Sequence, residues 1–175
     1  MRRLMLLRHA KTEKGAPGAR DYDRVLVERG IDDSRQIGAY MAHHALVPDL
    51  VLVSGAARAQ QTWNGVAPAF KPKPATRDDD RIYDAEAGRI LKVVQETDAK
   101  VHTLLVVGHN PGLHDLGRLL IASGDVDARE RLNENLPTAG LLVIDIALDG
   151  WTRVHPDCGR LDRLVSPRLL GLATD

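Results

Sequence analysis

Three short apolar runs, residues 4–7, 50–53 and 103–107, most constrain what this chain can fold into. Each is too short for a helix and, apart from Thr103 at the start of the third, apolar throughout, which is the signature of a strand buried on both faces. Helical patterns separate them. Ile37, Met41 and Ala45 follow Asp32-Asp33 at helical spacing, and Pro48-Asp49 ends that stretch. Ser54 or Gly55 is placed to cap a helix running through Gln61, Thr62 and Val66. Ala87, Ile90, Leu91 and Val94 lie at i, i+3, i+4 and i+7, an amphipathic helix. Asn110 and Pro111 suit the N-cap and first position of another, carrying Leu113, Leu116, Leu119 and Leu120.

Residues 68–80, with three prolines, read as a loop. Residues 141–148 read as a fourth strand, and Asp149-Gly150 as a hairpin leading into a short strand at 151–155. The expected fold is therefore α/β in three layers: a mostly parallel sheet flanked by helices, with an antiparallel edge strand. With 175 residues, no internal repeat and no low-complexity tract, residues 1–175 are expected to form one domain.

Composition removes several function classes. Lys plus Arg and Asp plus Glu are both 24, so the chain lacks the basic excess of a general nucleic-acid surface. Aromatic residues make up 3%, too few for base-stacking platforms. The single cysteine, Cys158, excludes an internal disulfide and points to a reducing, cytoplasmic setting. No apolar run is long enough for a membrane span, and the first is too short for a signal h-region.

Chemistry concentrates where the strands end. The first run is followed by Arg8-His9, the second by Ser54 with Arg58 four residues on, the third by Gly108-His109. In a parallel sheet these groups face one crevice beyond the carboxyl ends of the strands. Two arginines and two histidines would converge there with no obvious acidic partner. Arg58 in a first helical turn opposes the helix dipole, so an anion is its natural counter-charge. Phosphate fits best, since guanidinium forks match its oxygens. One histidine can attack phosphorus while the other donates to the oxygens, with the arginines supplying the positive charge and no metal or other cofactor required. His43-His44 and the pair His109 and His114 lack a metal-ligand spacing such as H-E-x-x-H.

Several segments together resemble the histidine phosphatase superfamily, the phosphoglycerate-mutase-like enzymes. These are Leu6-Leu7-Arg8-His9-Ala10-Lys11, then Asp23-Arg24 with Leu26 and Glu28-Arg29-Gly30. Ser54, Ala57-Arg58-Ala59, Gln61-Thr62 and Gly108-His109-Asn110-Pro111 continue the likeness, and Pro137-Thr138-Ala139-Gly140 with Ser166-Pro167-Arg168 close it. Ala10, where most members carry Gly, resembles the SixA-type phosphohistidine phosphatases. Gly55 departs from the usual Pro. The resemblance implies that His9 accepts the phosphoryl group and that Arg8, Arg58 and His109, with Ser54, form the phosphate pocket.

Many members supply a carboxylic acid to the leaving group; Asp84 and Glu86 are the candidate proton donors in the corresponding region. The implied substrate is a phosphorylated protein or a small phosphorylated molecule. Phosphohistidine on a protein is favoured, because its imidazole leaving group needs little acid help and no large lid is expected between Thr62 and Thr103. The alternatives are a broad small-molecule phosphomonoesterase and a phosphate-binding module without turnover.

Overall fold

The computed structural model describes residues 1–173. Seven strands form one sheet: β1 (Arg2–Arg8), β2 (Leu50–Val53), β3 (Ala75–Asp78), β4 (Thr103–Gly108), β5 (Ile121–Gly124), β6 (Leu141–Ile146) and β7 (Gly159–Val165), in the order β3-β2-β4-β1-β6-β7-β5. Neighbours pair in parallel from β3 through β1 and between β7 and β5, while β6 runs antiparallel to both β1 and β7. Six α-helices accompany the sheet among the described residues: α1 (Glu28–His43), α2 (Ala57–Val66), α3 (Ala87–Gln95), α4 (Gly112–Leu120), α5 (Val126–Glu134) and α6 (Pro167–Ala173), together with three short 3-10 turns. None is long and apolar enough to cross a membrane.

The three layers follow from strand periodicity, since alternate side chains leave opposite faces. Leu4, Leu6, Leu104 and Val106 join one buried cluster with Ile90 and Val94 of α3, Leu113 and Leu116 of α4, and Leu132 of α5. Met5, Leu7, Leu105 and Val107 join the other with Ile37 and Met41 of α1 and Trp63 and Val66 of α2. The central strands are therefore covered on both sides, which is why their sequences show no polar face. The expected mostly parallel three-layer class is what the chain adopts.

Some local expectations differ. The return strand after β6 is β7, at Gly159–Val165, rather than residues 151–155. Trp151 and Val154 are apolar for another reason: both are buried in the core, and the Trp151 Nε1–H donates to the Val101 carbonyl at 2.8 Å. The segment from Pro68 to Asp80 contains the edge strand β3, whose four side chains are all exposed; backbone pairing with β2 alone defines it. Glu28, not Asp32, begins α1, after Val27 N–H has bonded to the Lys11 carbonyl and Thr12 has bridged Leu26. Ala45 lies beyond that helix in a left-handed turn (φ 55°). Helix α4 starts at Gly112 with Pro111 as N-cap, because the Asn110 amide turns away to the Leu136 carbonyl at 2.8 Å. Helix α5 is largely charged and so shows little periodicity; its legible mark is Asp125, whose carboxylate caps the Ala128 amide at 2.9 Å.

Gly30 lets the first turn of α1 press against the loop that follows β1. A Cβ there would lie 2.3 Å from the Lys11 carbonyl oxygen, a backbone atom that cannot swing aside. Gly30→Ala is expected to cost about 1–3 kcal/mol, the usual range for overpacking. Thermal unfolding checks this, and an unchanged midpoint would show that the loop yields freely.

Candidate active site

Pairing between the strands brings the predicted residues together. Arg8 is opposite Gly108 in the β1–β4 register, and Val53 is opposite Val107 between β2 and β4. The chain beyond each strand is tied to its neighbour: His9 N–H donates to the Gly108 carbonyl at 2.9 Å, and Ser54 N–H to Val107 at 3.0 Å. His9, Ser54 and His109 thus sit side by side at one sheet end, all buried. The two imidazole centroids are 5.3 Å apart.

The loop after β1 is also tied to α2. Ala10 N–H donates to Thr62 Oγ1 at 3.0 Å, and that hydroxyl donates to the Arg58 carbonyl at 2.7 Å. Gln61 Oε1 accepts from Leu26 N–H at 2.8 Å. The Gln61-Thr62 pair is therefore a structural tether that fixes Arg58 relative to His9.

His9 Nδ1 lies 2.8 Å from the Ala10 carbonyl. A carbonyl only accepts, so Nδ1 carries the hydrogen, and Nε2 holds the lone pair in the neutral ring. Burial pushes the His9 pKa down to about 4; the Ala10 carbonyl raises it, and the nearby Arg8, Arg58 and Arg24 charges lower it further. His109 is pushed down to about 3, by burial first and then by Arg58 and His9. Its Nε2 is 2.8 Å from Ser54 Oγ, and its Nδ1 is buried without a partner. Ser54 is fully buried, its oxygen accepts from Ala56 N–H at 3.3 Å, and His109 Nε2 is the acceptor within reach of its own proton; that donation places the ring hydrogen on Nδ1.

The arginines are held but not saturated. Arg8 donates from Nη1 to the Leu136 carbonyl at 3.1 Å, and burial lowers its pKa from the ordinary value. Arg58 is buried and reaches Asp21, Nη1 to the backbone oxygen at 2.8 Å and Nη2 to the carboxylate at 3.0 Å. Among the described residues, seven buried side-chain nitrogens and oxygens have no hydrogen-bond partner. Five of them belong to Arg8, Arg24, Arg58, His109 and Asn110, and four of those five are donors. Unpaired buried donors are costly, so their gathering around one crevice marks it as built for an anion.

Asp21 corrects the expectation that these cations lack an acidic partner. Its carboxylate also accepts from the Tyr83 hydroxyl at 2.7 Å, which with Arg58 lowers its pKa. The Tyr83 ring packs edge-on to His109 at 5.5 Å, with the Arg58 guanidinium 5.8 Å from its centroid. Gly55 is explained as well. Its N–H donates to Asp80 at 3.2 Å, Asp80 accepts from the Tyr22 hydroxyl, and any Cβ at Gly55 would lie 2.0 Å from that hydroxyl. A proline would lose the donor and meet the same obstruction. Asp21 and Tyr83 escaped sequence reasoning because their loops carry no periodicity, with the Gly55 departure as their one visible trace; Arg24 lies within the Asp23-Arg24 segment of the resemblance but has no role assigned there.

Asp84 and Glu86 are exposed. With Ala85, His109, Asn110, Pro111 and Asp115 they line a cavity of about 350 Å³ beside the crevice. Neither carboxylate hydrogen-bonds to a histidine. Among the described residues, no group of three or more His, Cys, Asp and Glu is placed to hold a metal ion.

Comparison with known proteins follows the same lines. A sequence model of the histidine phosphatase superfamily (branch 1) matches residues 4–100. An uncharacterized Mycobacterium tuberculosis protein is 35% identical over 164 residues, 93% of this chain and 100% of its own length. A structure from Agrobacterium tumefaciens assigned as the phosphohistidine phosphatase SixA has 32% identity and a TM-score of 0.80, covering 95% of this chain and 98% of its own. The protein histidine phosphatase SixA complexed with tungstate shares the fold at 21% identity and TM-score 0.75, covering 96% and 99%. At lower similarity the fold is shared with phosphatases of small molecules.

The depressed histidine pKa values have a consequence for stability. Between about pH 6.5 and 4 the unfolded chain binds protons at these sites that the folded chain refuses, so stability rises with pH in that window. Urea unfolding is expected to show a loss on the order of a few kcal/mol as pH falls through it, smaller in His109→Gln. Equal slopes in the two proteins would mean that His109 is not buried neutral.

Proposed function

The chain belongs to the histidine phosphatase superfamily, and from that premise we propose that it removes phosphate from phosphohistidine on a protein, through a phosphoryl group carried transiently on His9. The observation that carries this reading is the Nδ1–H to Ala10 carbonyl bond. It leaves the Nε2 lone pair of His9 available in a crevice where the Nε groups of Arg8, Arg24 and Arg58 are unpartnered.

His9 Nε2 attacks phosphorus, and the bond from phosphorus to the carrier nitrogen breaks, its electron pair returning to the leaving imidazole. Arg8 and Arg58, with Nδ1–H of His109, hold the phosphoryl oxygens as their charge redistributes. Water then attacks the phosphorus on His9. The bond to Nε2 breaks, its electron pair returns to the ring, and the water's proton leaves with the product phosphate or to solvent. A low His9 pKa keeps the ring deprotonated at neutral pH, although it also makes the nitrogen a weaker base; the orienting carbonyl offsets that. Ser54 fixes the tautomer of His109. Asp84 and Glu86, on the cavity wall beside His109, are the proton donors open to substrates with a poorer leaving group. Both are exposed, which suits an imidazole leaving group that solvent can protonate. The chain's own residues supply the charge, so the reaction as written uses no metal.

A phosphatase panel with acid-quenched labelling tests this. Phosphohistidine protein and phosphoramidate are expected to be hydrolysed faster than ordinary phosphoesters, with label trapped on the wild type and absent from His9→Ala, which should lose turnover while staying folded. Arg8→Ala and Arg58→Ala are each expected to lower kcat/KM by about 10²–10³. Faster hydrolysis of small phosphoesters would favour the phosphomonoesterase reading. Phosphate binding with neither label nor turnover would favour a binding module.

A further inference from the structure

We propose that Asp21 selects the phosphoryl carrier by charge, favouring phosphoryl groups borne on neutral or cationic carriers and penalising carriers with a second anionic group. The inference rests on reading Arg58 as part of the phosphate clamp.

Asp21 stands on the loop between β1 and α1, and its side chain is about half exposed while that of Arg58 is almost fully buried. It is held from three directions. Arg58 donates to its carboxylate and its backbone oxygen, Tyr83 donates to the same carboxylate oxygen, and Arg24 Nη1 lies 3.9 Å from the other. A negative charge is therefore fixed against the guanidinium that would meet the substrate. The Nε of Arg58 stays unpartnered, so the pair occupies the outer edge of the fork and leaves the Nε edge for a ligand oxygen. A fixed carboxylate beside a binding guanidinium weakens a second anion in a partly buried site and strengthens a cation.

A second observation points the same way. The cavity that shares His109 with the crevice is lined by three carboxylates, Asp84, Glu86 and Asp115, and by no cation. His109 is more than nine-tenths buried, and its Nδ1 lacks a partner. Beyond Leu136 the lining turns basic, with Arg131 and Arg168 beside Glu134, but that separate cavity does not include His109. Groups attached to a phosphoryl bound at His109 and Arg58 thus face the carboxylates of the cavity wall, while Asp21 offsets part of the guanidinium charge that would otherwise attract a second anion. An imidazole within a basic protein segment fits such surroundings; a small phosphorylated carboxylate does not.

Two non-hydrolysable probes test the idea without turnover: phenylphosphonate, with a neutral carrier, and phosphonoacetate, with a carboxylate. Calorimetry on the wild type is expected to show a preference for phenylphosphonate. In Asp21→Asn, which can keep the Arg58 contact but loses the charge, that preference should shrink by roughly three- to tenfold, with phosphonoacetate gaining more. Tyr83→Phe removes one tether and keeps the charge, so its preference should stay within about twofold of wild type. An unchanged ratio in Asp21→Asn, equal weakening of both probes there, or the same shift in Tyr83→Phe would overturn charge selection and leave the phosphatase reading intact. Failure of both probes to bind the wild type would overturn the phosphate clamp itself, and this inference with it.

Discussion

The pairing of β1 with β4 is the constraint on which the site depends. It sets Arg8 opposite Gly108 and closes with the His9 amide on the Gly108 carbonyl. Two histidines one hundred residues apart in sequence are thereby placed on adjacent backbones with ring centroids 5.3 Å apart. A one-residue slip would send Met5 and Leu7 to the face now held by Leu4 and Leu6, and both buried clusters resist that exchange. The same apolar packing that stabilises the sheet therefore fixes the relation between the two imidazoles. The loop beyond β1 is then held from the side by Thr62, so Arg58 arrives with its helix in a defined position.

Burial also decides the charge state of the site. His9 and His109 lie among Arg8, Arg24 and Arg58, and a further positive charge there is unfavourable on two counts, lost solvation and like-charge repulsion. The rings are consequently neutral, one with a free lone pair and one with a free N–H. Arginine can stay charged where histidine cannot, because its ordinary pKa is so high that burial lowers it without discharging it. The division of labour between a permanent cation and a neutral nucleophile thus follows from side-chain chemistry in a shared low-dielectric crevice.

The strand ends were legible in the sequence because short apolar runs followed by charged or polar residues have few other solutions in an α/β chain. Arg8, His9, Ser54, Arg58 and His109 all came from that pattern, and the structure brings the five together. What escaped had no pattern to read. Strand β3 is made by backbone pairing with four exposed side chains, α5 is polar around most of its surface, and Trp151 plugs the core from a turn. Asp21 and Tyr83 act through side chains that meet across 62 residues, a contact that only the folded chain creates.

Gly55 shows how such a contact leaves a trace. Read alone, the exchange of proline for glycine beside Ser54 looks neutral. In the fold it admits the Tyr22 hydroxyl and gives Asp80 a backbone donor, which ties the loop carrying Asp21 to the end of β2. Tyr22 packs edge-on against Tyr83 at 4.9 Å, and Tyr83 in turn holds Asp21. A small residue at one strand end, an aromatic pair and a carboxylate on Arg58 therefore form one connected unit. A change at Gly55 would be felt at the guanidinium, through packing rather than through any contact of its own with the crevice.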